Sequence, residues 1–60
     1  MVTKGQRIQM HPATDLWMQG ARFGVVKGIV DKHRILVKLD KAGKYWVRLT
    51  DLVDLDGSEL

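Results

Sequence analysis

Sixty residues without one cysteine limit this chain to a single small domain that neither disulfides nor thiolate metal sites can stabilise. A hydrophobic content of 45% is enough for an apolar core, and no uncharged run approaches the length of a membrane span or a signal peptide. We therefore expect one soluble, cytoplasmic domain over residues 1–60 that makes no membrane contact.

The formal charge of +3 conceals an asymmetry along the chain. All ten Lys and Arg residues lie between positions 4 and 48 with only three aspartates, so this stretch carries +7. The last twelve residues contain four acids and no base. A basic body of this kind favours an anionic partner, although ordinary surface charge explains it equally well.

The first predicted elements are a strand and a long loop. Six glycines and one proline divide the chain into short pieces, none of which has the apolar spacing of a substantial helix. Pieces rich in Val, Ile, Leu and aromatic residues predict strands. The first strand covers 6–10, with Ile8 and Met10 inward, and the loop covers 11–21.

A three-stranded meander is predicted next. Its first strand runs over 22–31, where Gly24 and Gly28 indicate a bend or bulge such as small barrels need at their corners. A tight turn leads to a strand over 34–40, whose inward side chains are those of Ile35, Val37 and Leu39. A second turn, over 41–43, leads to a strand over 44–49, whose two faces carry Tyr45, Val47 and Leu49 on one side and Trp46 and Arg48 on the other.

The end of the chain is predicted to close the sheet. Thr50 is a candidate cap for one helical turn through Asp51 and Leu52. A short strand over 53–55 follows, and residues 57–60 are expected to be frayed. The predicted fold class is therefore all-β, with five strands and one short helical turn before the last strand.

Four segments in this order carry a resemblance to a known architecture: Lys4-Gly5-Gln6-Arg7-Ile8, Gly24-Val25-Val26, Val37-Lys38-Leu39 and Leu49-Thr50-Asp51-Leu52. They resemble the SH3-like barrel and, within it, the KOW and Tudor-like small barrels, which implies a single five-stranded barrel. The loop His11-Pro12-Ala13-Thr14-Asp15, followed by Trp17-Met18, is similar to that of small uncharacterised proteins of phages and mobile elements. That second likeness implies no activity.

The outward face of the meander gives the strongest functional signal. Alternation within the strands places basic and aromatic side chains on one side of the sheet. A flat basic surface with one aromatic ring suits a phosphate backbone and one stacked base. Outward Lys and Arg are also usual on any solvated sheet face. We predict binding of nucleic acid, DNA or RNA, with modest sequence selectivity, through Arg34, Lys38, Trp46 and Arg48, with Lys27 and Arg7 at the margin.

A protein-interaction or self-associating module is the alternative. Leu16, Trp17 and Met18 would form an apolar knob if exposed, and Trp46 with Leu36 would form a second patch. In SH3-like barrels this loop folds over the barrel mouth, which would instead make Trp17 an anchor. The partner is then another protein or a second copy of the chain.

Catalysis and metal binding have little support in the sequence. His11 and His33 lie far apart without cysteines, whereas a metal site needs three or four converging ligands. The glycines lack the Lys-Ser/Thr ending of a phosphate-binding loop, and Ser58 has no base beside it. We predict no cofactor, no metal and no enzymatic activity.

One enzyme family does share the expected architecture. Gly5-Gln6-Arg7-Ile8 and Leu52-Val53-Asp54-Leu55 resemble the framework of the plasmid-borne trimethoprim-resistant dihydrofolate reductases. The Val-Gln-Ile-Tyr segment of their active pore is replaced here by Tyr45-Trp46-Val47-Arg48. The resemblance therefore extends to the fold alone.

Overall fold

Five antiparallel strands form one curled sheet, a half-barrel, in the computed structural model, which describes residues 2–60. Their order across the sheet is β4-β3-β2-β1-β5, so β1 pairs with both β2 and β5. This arrangement confirms the predicted all-β class. The strands are β1 (Arg7–Met10), β2 (Phe23–Asp31), β3 (Arg34–Leu39), β4 (Lys44–Val47) and β5 (Leu52–Val53).

The core lies on the inner face of this sheet. Residues that alternate along a strand point to one face, and the predicted inward residues of β1 and β3 are almost fully buried. Burial of their apolar surface is the main stabilising contribution. The completely buried large side chains are those of Ile8, Met10, Val26, Ile35, Val37, Leu39 and Leu52.

Two β-bulges bend β2. Its register against β3 shifts between Val26 and Gly28 and again between Ile29 and Asp31. Each shift adds a residue to β2, which increases the local twist and curls the sheet. The bulge predicted near Gly28 is therefore confirmed.

The predicted loop over 11–21 contains a helix that the sequence pattern did not indicate. This helix, α1, is one turn long and covers Asp15–Met18. Thr14 caps it, because its Oγ1 accepts a hydrogen bond from the Trp17 amide at 3.3 Å. Four residues are too few to show a helical period, so the pattern analysis could not find it.

The turn before the last strand is capped differently from the prediction. It is a 3-10 turn over Leu49–Asp51, so β4 ends at Val47 and Leu49 is not a strand residue. The Arg48 amide donates to Asp51 Oδ2 at 3.0 Å, which makes the Asp51 carboxylate the capping group. The prediction that Thr50 caps the turn was therefore wrong. β5 also begins one residue earlier than expected.

The two edge strands differ in how they are covered. Val53 in β5 pairs with Gln9 on one side and with Glu59 on the other. The Asp54 amide also donates to the Ser58 carbonyl at 2.8 Å. Fraying of residues 57–60 concerns their motion and stays a prediction. In the part of the chain that the structure describes, β4 pairs with β3 alone, which leaves β4 as the open edge.

No helix within residues 2–60 has the length and apolar character needed to cross a bilayer.

Candidate nucleic-acid interface

The pairing of β3 with β4 brings the predicted interface residues into rows. Lys38 lies directly opposite Lys44, and Leu36 lies directly opposite Trp46. Arg34 and Arg48 each lie one position beyond the Ile35–Val47 pair. Alternation places the five strand side chains on the face away from the core, and Arg48 continues β4 by one residue in extended conformation. We call this surface the basic ladder: Arg34, Leu36, Lys38, Lys44, Trp46 and Arg48.

Trp46 is the exposed centre of the basic ladder. Trp46 is 59% exposed, and Leu36 beside it is partly buried. Because β4 is the open edge of the sheet, the ring has a neighbouring strand on one flank only. A planar ligand can therefore reach the ring both from above the sheet and from its edge.

The Lys38–Lys44 row places two positive charges directly opposite one another. Side chains in such a pair lie about 5 Å apart at Cβ, and like charges there are destabilising. Within residues 2–60 the ion pairs involve only Arg7 with Asp40 and Arg48 with Asp51. Lys38, Lys44 and Arg34 consequently form no ion pair among the described residues. Their charge is available to an external anion.

Arg7 lies at the margin of the ladder and is held by a carboxylate. Its two terminal nitrogens donate to the two oxygens of Asp40, each at 2.9 Å. These hydrogen bonds, and then the nearby positive charges of Arg7 and Lys38, hold the pKa of Asp40 below its usual value. Asp40 therefore stays ionised at neutral pH and partly neutralises this corner of the surface.

Removing that carboxylate should strengthen anion binding. Asp40→Asn frees the Arg7 guanidinium and leaves Lys38 without its nearby negative charge, so affinity for an oligonucleotide should rise about threefold. The dependence of affinity on salt concentration should steepen at the same time. Asp15→Asn, at the start of α1, is the matched control because it removes the same charge away from the basic ladder, at an exposed residue that makes no ion pair. Equal effects of the two substitutions would contradict a local role for Asp40.

Two further lysines, Lys27 and Lys44, lie at or beside the basic ladder. Lys27 is exposed and is the extra residue of the first β2 bulge, beside the ladder and outside its rows. Lys44 belongs to the ladder although it was not among the predicted interface residues. Its position, two residues before Trp46 on the same strand, was the signal that could have identified it.

The predicted apolar knob is divided by α1. Leu16 and Trp17 pack against the core, and the Arg22 guanidinium lies 4.5 Å from the centre of the Trp17 ring. Of these three residues only Met18 is exposed, at 72%. This position agrees with the anchor interpretation of Trp17, while self-association through the loop stays a prediction.

The two histidines have separate local roles. His11 Nδ1 accepts a hydrogen bond from the Ala13 amide at 3.0 Å, and His33 lies in the turn between β2 and β3, where Asp31 accepts from its amide at 2.8 Å. Among the described residues, no three His, Asp or Glu side chains form a group that could hold a metal ion.

No protein-family model, curated protein or solved structure matches this chain. The likenesses to KOW, Tudor-like and phage proteins therefore stay predictions.

Proposed function

We propose that this chain is a small cytoplasmic nucleic-acid-binding module of the SH3-like barrel class, that it acts without catalysis, and that the basic ladder is its binding surface. One observation carries the proposal. The Lys38–Lys44 pair places two like charges opposite one another, neither of them in an ion pair among the described residues, beside an exposed aromatic ring. Such a pair costs stability in the free protein, and a bound polyanion would offset that cost.

The chemistry of the ladder divides into two contributions. The four basic side chains would contact phosphates and release their counterions, so affinity should fall as salt rises. Trp46 would stack on a base, which depends little on base identity because every base has a π-face. With few hydrogen-bonding groups to read base edges, sequence selectivity should be modest.

The topology supports the barrel class within this proposal. The sheet order β4-β3-β2-β1-β5, a long connection between β1 and β2, and a 3-10 turn before β5 are the features of the SH3-like resemblance. Arg7, held by Asp40, and Lys27, in the bulge, would extend the surface toward β1 and β2.

An NMR titration of the isotopically labelled protein tests the proposed function. Single- and double-stranded DNA and RNA are added at low and moderate salt while amide and indole resonances are followed. The largest shifts are expected in β3, β4 and the Trp46 indole, with smaller ones near Arg7 and Lys27, and all of them should fade with added salt. The Trp17 indole, packed against the core, is the internal control. Spectra unchanged by all four nucleic acids would overturn the proposal.

A protein-binding module is the second candidate, favoured by exposed apolar groups on the same molecule. Trp46 with Leu36 forms one patch, and Ile29 and Val30 are exposed at the far end of β2. Binding to a protein through either patch should respond little to salt, because apolar burial rather than counterion release drives it.

A further inference from the structure

The basic ladder consists of three rows across β3 and β4, with an apolar row between two basic ones. Lys38 and Lys44 form one basic row, Leu36 and Trp46 form the apolar row, and Arg34 with Arg48 marks the other basic end. Neighbouring rows on one face are about 7 Å apart, so the two basic rows are separated by about 13 Å. The aromatic ring therefore lies between two sites for phosphate.

We infer that the ligand of this surface is a single nucleic-acid strand that runs along β3 and β4, an inference that rests on the function proposed above. Along one strand, phosphates alternate with bases. The two basic rows are further apart than consecutive phosphates can reach, so they match phosphates two nucleotides apart in an extended strand. One such phosphate on Lys38 and Lys44, a base on Trp46 and the other phosphate on Arg34 and Arg48 reproduce the order of the three rows. The positive charge of the two basic rows and the position of the ring between them thus both favour a single nucleic-acid strand.

A duplex fits this surface less well. Its bases are stacked and paired, so a flat ring on a sheet face has no free base plane to contact. The ladder also lies on the outer, convex face of a curled sheet. A rigid duplex would meet a convex face over few phosphates, whereas a flexible strand can follow its curvature.

The open edge of β4 provides the access that stacking requires. Trp46 is 59% exposed, and no strand among the described residues lies beyond β4. A base can therefore slide over the ring from the edge while two phosphates of its strand, two nucleotides apart, remain over the basic rows. Trp46 is accordingly the group that distinguishes a single strand from a duplex.

The experiment compares three fluorescently labelled probes of equal charge and about 12 nucleotides, a usual length for small single-strand sites. The probes are a single strand, the same backbone without bases, and a self-complementary hairpin duplex. They are titrated into wild-type protein and Trp46→Ala by fluorescence anisotropy. Wild-type protein should bind the single strand about tenfold more tightly than either other probe. Trp46→Ala should lose that advantage and bind all three alike.

A matched control removes an aromatic side chain from the opposite face of the same strand. Tyr45 lies opposite Val37, on the inner face of β4, so Tyr45→Ala should retain the preference for the single strand. Circular dichroism spectra establish that each variant is folded. Wild-type binding of the duplex as tight as that of the single strand would overturn the single-strand inference and leave nucleic-acid binding standing.

The remaining outcomes are equally decisive. Equal affinity of the wild-type protein for the base-free backbone and the single strand would overturn stacking on Trp46. A failure of all three probes to bind would overturn the proposed function together with this inference.

Discussion

Replacing Gly24 by alanine is expected to remove a large part of the stability of this protein. A Cβ at position 24 would lie 2.6 Å from the Lys38 carbonyl oxygen and 3.1 Å from the Leu39 Cα. Both are backbone atoms of the paired strand, so neither can move aside as a flexible side chain would. The strand pair at the centre of the sheet must therefore separate to accommodate a single methyl group.

The expected magnitude follows from the size of the chain. Overpacking a core position costs up to about 3 kcal/mol, and a 60-residue domain has about 3 to 9 kcal/mol of stability in total. The midpoint of thermal unfolding should consequently fall by about 15 °C. Melting curves from circular dichroism measure the change directly.

Gly28 in the same strand provides the matched control. A Cβ there would meet only the Leu36 Cβ at 3.8 Å, an ordinary van der Waals distance. Gly28→Ala should therefore change the unfolding midpoint by less than a third as much as Gly24→Ala. Comparable losses for the two variants would show that glycine is required throughout β2 for flexibility rather than at one position for close approach.

Gly24 also shows where sequence reasoning reached its limit on the fold. Two glycines in one strand predicted a bend, and the bulge at Val26–Gly28 confirms it. Gly28 lies at the bulge, whereas Gly24 allows the backbone of β3 to approach closely. This difference depends on the pairing between β2 and β3, which the sequence does not show. Alternation did identify the buried faces of β1 and β3, because apolar and polar residues there follow a period of two.

The candidate site was likewise predictable in part from the sequence. Period two placed Arg34, Lys38, Trp46 and Arg48 on one face, a result that needs only the phase within each strand. The opposition of Lys38 and Lys44 depends on the register between strands. The Arg7–Asp40 pair joins residues 33 positions apart. Neither the register nor that contact has a local signal, so both had to come from the structure.

Reversing the charge of Lys44 should weaken nucleic-acid binding and stabilise the protein at the same time. Lys44→Glu turns the like-charged row with Lys38 into an attractive pair, which should add about 0.5 kcal/mol to the free energy of unfolding. It also removes one phosphate contact and adds a repulsive charge, so affinity for a single-stranded oligonucleotide should fall about tenfold. The slope of log affinity against log salt should decrease by about 1.

A rise in the free energy of unfolding together with a fall in oligonucleotide affinity would show that Lys44 serves binding rather than stability. Thermal melts and anisotropy titrations at several salt concentrations supply both measurements. Lys4→Glu, in the turn before β1, changes the net charge equally outside β3 and β4 and should alter neither by more than a third as much. If Lys4→Glu weakened binding as strongly as Lys44→Glu, bulk charge alone would account for the affinity. If Lys44→Glu left binding unchanged while raising the melting temperature, the like-charged row would have no part in recognition, and the apolar patches would become the surfaces on which to seek a partner.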